Sequence, residues 1–232
     1  MKQPISRLAL ATGAVALIGA AQPASAGLID FESGFVDKQA LGAVVTPDNT
    51  VTFSVGGGGT GFIAEVGAPR TAFVNLNEGD DAPEAAAAAR IGQFFLTDED
   101  AGPSKKLDYF MVFATAVGAL SLDLLDFRAD GGPSAGATAT LTVFSDSSFT
   151  TAIGSDVFTI PSSNPVDGNV ETLSVATGGG IKAASVVFST GDVGTGIDNI
   201  RFVPEPATLA LLGVGLLGLG ALRRRASATL PA

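Results

Sequence analysis

The chain contains no cysteine and no histidine among its 232 residues. Without cysteine there is no disulfide framework, so any folded part stands on its own core or on a core helped by a metal. Without histidine the Ser-His-Asp and Cys-His nucleophile systems, the commonest general base and the usual zinc ligand are all missing. Only chemistry run by carboxylates, lysine or tyrosine remains open. Tryptophan is also absent and there is a single tyrosine, Tyr109, which leaves few aromatic platforms for stacking sugar rings. Basic residues are scarce, 13 against 23 acidic, for a net charge of −10. A surface of that sign repels nucleic acid, whose binders need a Lys/Arg stripe to displace phosphate counterions. Nucleic-acid binding is excluded, and an enzyme is disfavoured.

The two ends read as addresses rather than fold. Residues 1–26 have the three parts of a secretory signal peptide: Lys2 and Arg7, an apolar stretch from Leu8 to Ala21, and the small-residue site Ala24-Ser25-Ala26. Pro23 breaks the helix before that site. Cleavage by signal peptidase after Ala26 makes Gly27 the new N-terminus. At the other end, Pro204-Glu205-Pro206 precedes an apolar run from Ala207 to Leu222 and the cluster Arg223-Arg224-Arg225. Roughly sixteen helical residues reach about 24 Å, short of a hydrocarbon core of about 30 Å. Snorkelling arginines and local thinning cover the shortfall, giving a short transmembrane helix. The arginines stay cytoplasmic, with residues 226–232 as a short cytoplasmic end, and the rest of the chain lies outside. The prolines are expected not to continue a sheet, leaving an exposed, protease-accessible break.

Pro204-Glu205-Pro206, the Gly/Leu-rich helix and the closing arginines resemble the PEP-CTERM sorting signal of bacterial exopolysaccharide-associated proteins. The resemblance covers residues 204–225. It implies recognition by an exosortase, a membrane-embedded cysteine protease or transpeptidase, and processing near the motif on the outer side of the inner membrane. The protein then passes to the cell surface or extracellular matrix.

Between these ends lie residues 27–203, about 177 residues, enough for one domain with a real core. All 15 phenylalanines fall there. Strand signals recur at Leu28–Glu32, Val51–Val55, Phe62–Val66, Ala72–Asn75, Gln93–Thr97, Tyr109–Ala114, Ser121–Phe127, Thr138–Phe144, Asp156–Ile160, Glu171–Val175, Ser185–Ser189 and Ile197–Phe202. Gly, Pro, Asn and Asp clusters punctuate them. About a dozen short strands predict an all-β fold, a jelly-roll-type β-sandwich. The one helical segment expected runs from Pro83 to Arg90, as an exposed connector.

Three stretches resemble lectin-like jelly rolls: Ile29-Asp30-Phe31-Glu32, Leu120 to Asp126, and Gly196-Ile197-Asp198-Asn199-Ile200. In such domains the first and last strands pair, and the resemblance implies a structural calcium site. The residues agree with it to this extent: Asp30 and Glu32, two apart on a strand, project from one face while Phe31 enters the core. Asp198 would join them in the oxygen-rich set that calcium prefers. Polar-face positions hydrogen-bonded to loops are the other reading of the same three residues.

Other motifs carry less. The acidic stretches Gly79-Asp80-Asp81 and Asp98-Glu99-Asp100 lack EF-hand spacing and read as solvated loops. Gly56–Gly61 is followed by no Lys-Ser/Thr and no helix, so it is a connection rather than a phosphate cradle. Asp123 and Asp126 invite a glycosidase reading, but three apart on a strand they face opposite ways. Tyr109 sits in an apolar run and reads as core. The reading that follows is a non-enzymatic exported protein of the envelope or matrix. Its rivals are a module binding the cell's own exopolysaccharide and a carboxylate-based glycoside hydrolase.

Overall fold

The structure is a computed structural model that describes residues 26–56, 61–66, 74–75, 79–80, 89–98, 108–125, 127, 135–162, 169–189 and 195–205. Residues 1–25 of the expected signal peptide, Pro206, the apolar run and the arginine cluster lie outside these residues. Among the described residues no helix is long and apolar enough to cross a membrane.

The chain is all-β. In order the strands are β1 (Gly27–Ile29), β2 (Gln39–Ala40), β3 (Ala43–Val45), β4 (Thr50–Val55), β5 (Gly61–Glu65), β6 (Val74–Asn75), β7 (Gly79–Asp80), β8 (Phe94–Asp98), β9 (Tyr109–Leu125), β10 (Thr138–Phe144), β11 (Ala152–Thr159), β12 (Val170–Phe188) and β13 (Gly196–Pro204). Every ladder is antiparallel. β6 and β7 form a small separate pair. The terminal strands pair as expected, Gly27 opposite Phe202 and Ile29 opposite Ile200.

Two strands are far longer than their sequence suggests. Tyr109–Ala114 and the stretch from Ser121 to Leu125 are parts of one strand, β9, and Glu171–Val175 and the stretch from Ser185 to Phe188 are parts of another, β12. The two run beside each other over both halves, with a register shift between Ala176 and Ile181. On its other side β9 pairs first with β4, through Tyr109 to Phe113, and then with β13, from Val117 to Leu125. The inward face switches with the partner: Tyr109, Met111 and Phe113 are buried in the first half, Leu120, Leu122 and Leu124 in the second. A bulge has this effect, because one extra residue moves every later side chain to the other face.

The bend falls where glycine allows it. Gly178, Gly179 and Gly180 have φ of 77°, 154° and 86°, a region L side chains rarely enter. A Cβ on Gly118 would lie 3.4 Å from the Gly178 backbone. The ribbon of β9 and β12 thus passes from one layer of a β-sandwich to the other. One layer holds β3, β4, β10 and β11 with the start of β9 and the end of β12. The other holds β13, β8, β5 and β2 with the remaining halves.

Between the layers lies the core, with Phe113 against Phe202 at 5.8 Å and Phe31 against Phe53 at 6.0 Å between ring centroids. Tyr109 is fully buried and donates its hydroxyl to the Thr195 carbonyl at 2.7 Å. A smaller cluster of Ala64, Ile91, Phe95 and Leu125 lies apart from it. Residues 89–91 are helical, so the helical connector reaches at least this far. It is not wholly exposed, since Ile91 is buried in that cluster.

Where β9 changes partners, Asn49 fills the gap. Its side chain donates to the Thr115 carbonyl at 2.7 Å and accepts the Thr115 N–H at 2.9 Å. The amide does the work of one more ladder residue at the end of β4.

Candidate functional site

Two places gather chemistry-bearing residues: a buried acidic cluster, and the junction where the chain leaves the sandwich.

The acidic cluster grows from register. Asp123 on β9 stands opposite Asp198 on β13, and both side chains are buried. Arg90 reaches in from the helical segment, pairing with Asp123 Oδ1 at 2.5 Å and donating to Thr172 Oγ1 at 2.7 Å. Thr172 donates to the same Asp123 oxygen at 2.7 Å. The Asn199 amide lies between the acids, donating to Asp123 Oδ2 at 3.1 Å, to Asp198 Oδ2 at 3.3 Å and to the Arg90 carbonyl at 2.6 Å. Asp198 Oδ1 is buried with no hydrogen-bond partner among the described residues. Burial pushes the Asp198 carboxyl up to about 9, with the charges of Glu32, Asp123 and Asp30 adding to it against the Asn199 backbone N–H. A group so placed holds its proton at neutral pH.

Asp30 and Glu32 do not stand as a strand pair. β1 ends at Ile29, and Phe31 turns at φ 56° to put its ring into the core. Phe31 enters the core as expected, but through a turn in which Asp30 Oδ1 accepts the Glu32 N–H at 3.2 Å. The Glu32 carboxylate is engaged, accepting the Gln93 and Phe94 N–H groups at 2.7 and 3.0 Å. Gly92, at φ 66°, is the residue that lets it in, since a Cβ there would meet Glu32 Oε1 at 2.3 Å. Asp30, Glu32 and Asp198 are brought near enough for their charges to interact. Among the described residues, however, no group of three or more acids is arranged to hold a metal ion.

Sequence reasoning passed over Arg90 and Thr172, and weighed Asp123 only against Asp126, which lies outside the described residues. The signal was present in Leu122-Asp123-Leu124-Leu125, where an acid interrupts an apolar run and so needs a buried partner.

The junction differs from its expectation more sharply. β13 does not stop before the Pro-Glu-Pro triplet but runs through Pro204, which lies in register with Val117 after a shift at Val203. A proline is tolerated there because the ladder is already irregular and ending. Glu205 accepts the Gly180 N–H and lies along Gly179. Of the cleavage site, Ala26 is the first described residue and Ala24 lies outside the described part, as do Pro206, Arg223, Arg224 and Arg225.

Beside this junction is a groove of about 560 Å³ between β11 and the first half of β12. Ser145, Ser155, Ser174 and Thr177 bring hydroxyls to it, Ile153 an apolar side chain, and no acid among the described residues lines it.

No curated protein matches the chain. Among solved structures it is similar to the K2 cleaved adhesin domain of Lys-gingipain, at 11% identity and a TM-score of 0.41, covering 77% of this chain and 99% of that one. It is also similar to the enzymatically active domain of tailspike protein 4 of bacteriophage CBA120, at 12% identity and a TM-score of 0.35, covering 66% of this chain and 19% of that one. Likeness this shallow carries neither fold nor function across. The C-terminal match is of another kind and begins within β13: over residues 202–225 the chain carries the PEP-CTERM protein-sorting motif, which implies export and C-terminal processing by an exosortase.

Proposed function

We propose that this is a non-enzymatic protein of the cell envelope or extracellular matrix, held at the inner membrane by its tail with the domain outside until an exosortase processes it. The sandwich, of lectin-like jelly-roll type, is the part displayed. The observation that carries this reading is the position of the sorting motif, which starts inside the last strand of the domain. Sorting and fold are therefore joined without a spacer, as suits a domain that is itself the cargo. The non-enzymatic reading is supported by the lack of histidine and cysteine and by the burial of the two opposed acids, Asp123 and Asp198. The test is the intact mass of the protein from its host's envelope and medium. A mass from Gly27 to near Pro204-Glu205-Pro206 is expected; a mass retaining Leu211 to Arg225 makes the tail a permanent anchor.

A second reading, binding of the cell's own exopolysaccharide, is favoured by the hydroxyl-lined groove between β11 and β12. Saturable, competed binding in a polysaccharide pull-down supports it, and its absence removes it.

A structural calcium ion belongs to the same proposal. One observation fits it: Asp198 Oδ1 is a buried oxygen without a partner among the described residues. Asp198, Asp30 and Glu32 would hold the ion, which would cross-link the first turn to the last strand. A rise in Tm with calcium, reversed by chelator, is expected; no shift at millimolar calcium sinks it.

A further inference from the structure

Glu205, the middle residue of the sorting triplet, is not free in the fold. Its carboxylate accepts the Gly180 N–H, and its side chain lies along Gly179, where an added Cβ would stand 3.3 Å from Oε1, 3.5 Å from Cδ and 3.6 Å from Cγ. Three consecutive glycines at positive φ shape this corner, and successive backbone N–H groups in such a turn form a concavity that takes an anion. Thr177 braces it, its hydroxyl donating to the Gly179 carbonyl at 2.9 Å and lying 3.3 Å from the Gly118 carbonyl. Pro204 is held at the same time by its register with Val117. Both Pro204 and Glu205 are half-buried.

We propose that the Gly178–Gly180 corner is a latch over the sorting motif. The folded domain keeps Pro204 and Glu205 docked, and the processing enzyme acts on the fraction of molecules in which the end of β13 has let go. This rests on the reading of residues 202–225 as a processed sorting motif and adds a regulator to it. A protease needs its substrate extended and clear of other pairing, so a motif held in a sheet is a poor substrate. When the competent state is a minor one, the apparent affinity for the enzyme falls by the fraction competent. The loss of one charge-assisted hydrogen bond changes that fraction roughly tenfold.

Two variants of the full chain open the latch in different ways. Gly179→Ala crowds the Glu205 side chain and strains the corner; Thr177→Val removes the brace with little change in volume. Pulse-chase labelling in a host with the processing enzyme reads the rate of tail removal. Hydrogen exchange of the Gly180 amide, in full chain from a host without the enzyme, reads the latch itself. Both variants are expected to speed exchange and processing together, by several-fold to about tenfold. Faster exchange with unchanged or slower processing overturns the latch and leaves the sorting reading standing, as does unchanged exchange in both variants. Glu205→Ala separates the two ideas. If wild type and E205A both keep the tail indefinitely, the sorting reading fails and the latch falls with it.

Discussion

Asp123 and Asp198 face each other across adjacent strands, both out of contact with solvent, and the fold treats them oppositely. Asp123 has the Arg90 guanidinium and the Thr172 hydroxyl on one oxygen. Asp198 has one oxygen shared with the Asn199 amide and one with no partner among the described residues. Two acids this close share a site most easily when one is paired with a cation and the other keeps its proton.

The pH dependence follows from the direction of that shift. An unfolded Asp198 loses its proton near pH 4, whereas in the folded state it keeps it to about 9. Between these values the native state binds the extra proton, so stability falls as pH rises, by at most about 1.4 kcal/mol per pH unit. Above about 9 the contribution is flat. Asp198→Asn is expected to flatten this slope, stabilising the chain more at pH 8 than at pH 5. Urea unfolding at the two pH values in chelator checks it; equal slopes in variant and wild type count against a buried proton.

Arg90→Met leaves Asp123 buried without its cation, with only the neutral Thr172 and Asn199 donors. A loss of about 3 kcal/mol is expected, the low end for breaking a buried pair because Arg90 itself is half-exposed. Adding Asp123→Asn should recover part of the loss, and a double-mutant cycle by chemical denaturation measures the coupling. Simple additivity would show that the pair does not interact.

Asn49→Ala removes both hydrogen bonds to Thr115 at the place where β9 changes partners. About 2 kcal/mol of stability is expected to go, since a backbone donor and acceptor lose their partners together. Asn49→Asp should not rescue it: a carboxylate accepts the Thr115 N–H but offers its carbonyl nothing. Thermal unfolding of the three proteins decides.

The hairpin between β10 and β11 turns on Asp146, whose carboxylate accepts the backbone N–H groups of Ser148, Thr150 and Thr151 and two hydroxyls. Those bonds hold its carboxyl well below the usual carboxylate range, the Thr150 N–H contributing most. A depressed folded value means the contribution is complete above about pH 4 and is lost as pH falls through the folded value. Phe149, at φ 58°, packs its ring on Phe110 and Phe144 at 5.2 and 5.4 Å. Asp146→Ala is expected to release that ring at neutral pH, visible as loss of its ring-current shifts in NMR spectra; unchanged shifts would place the control elsewhere.

Much of this was legible beforehand. Alternation located Thr138–Phe144 to the residue, and the pairing of the first and last strands matches the expectation that the resemblance carried. Tyr109 reads as core and is core. What escaped was long-range. Nothing local says that Tyr109–Ala114 and the stretch from Ser121 to Leu125 share one strand, because the bulge between them breaks the alternation that marks a strand. Arg90 sits in a helix-forming alanine run, and only tertiary pairing reveals that it serves an acid on β9. The end of the domain was placed at Val203 on the ground that proline ends ladders, yet Pro204 still pairs and Glu205 still docks.

The pairing of the terminal strands has a mechanical consequence. Gly27 lies opposite Phe202, so the start of β1 sits beside the end of β13. Any tether on the tail pulls along β13. Its hydrogen bonds to β9 and β1 lie across that direction. Load is then carried in shear, with many bonds resisting together, rather than peeled off one at a time. Drag on a tethered molecule would meet the domain in its strongest orientation, and a reporter fused at Gly27 would sit at the anchored pole rather than the free one.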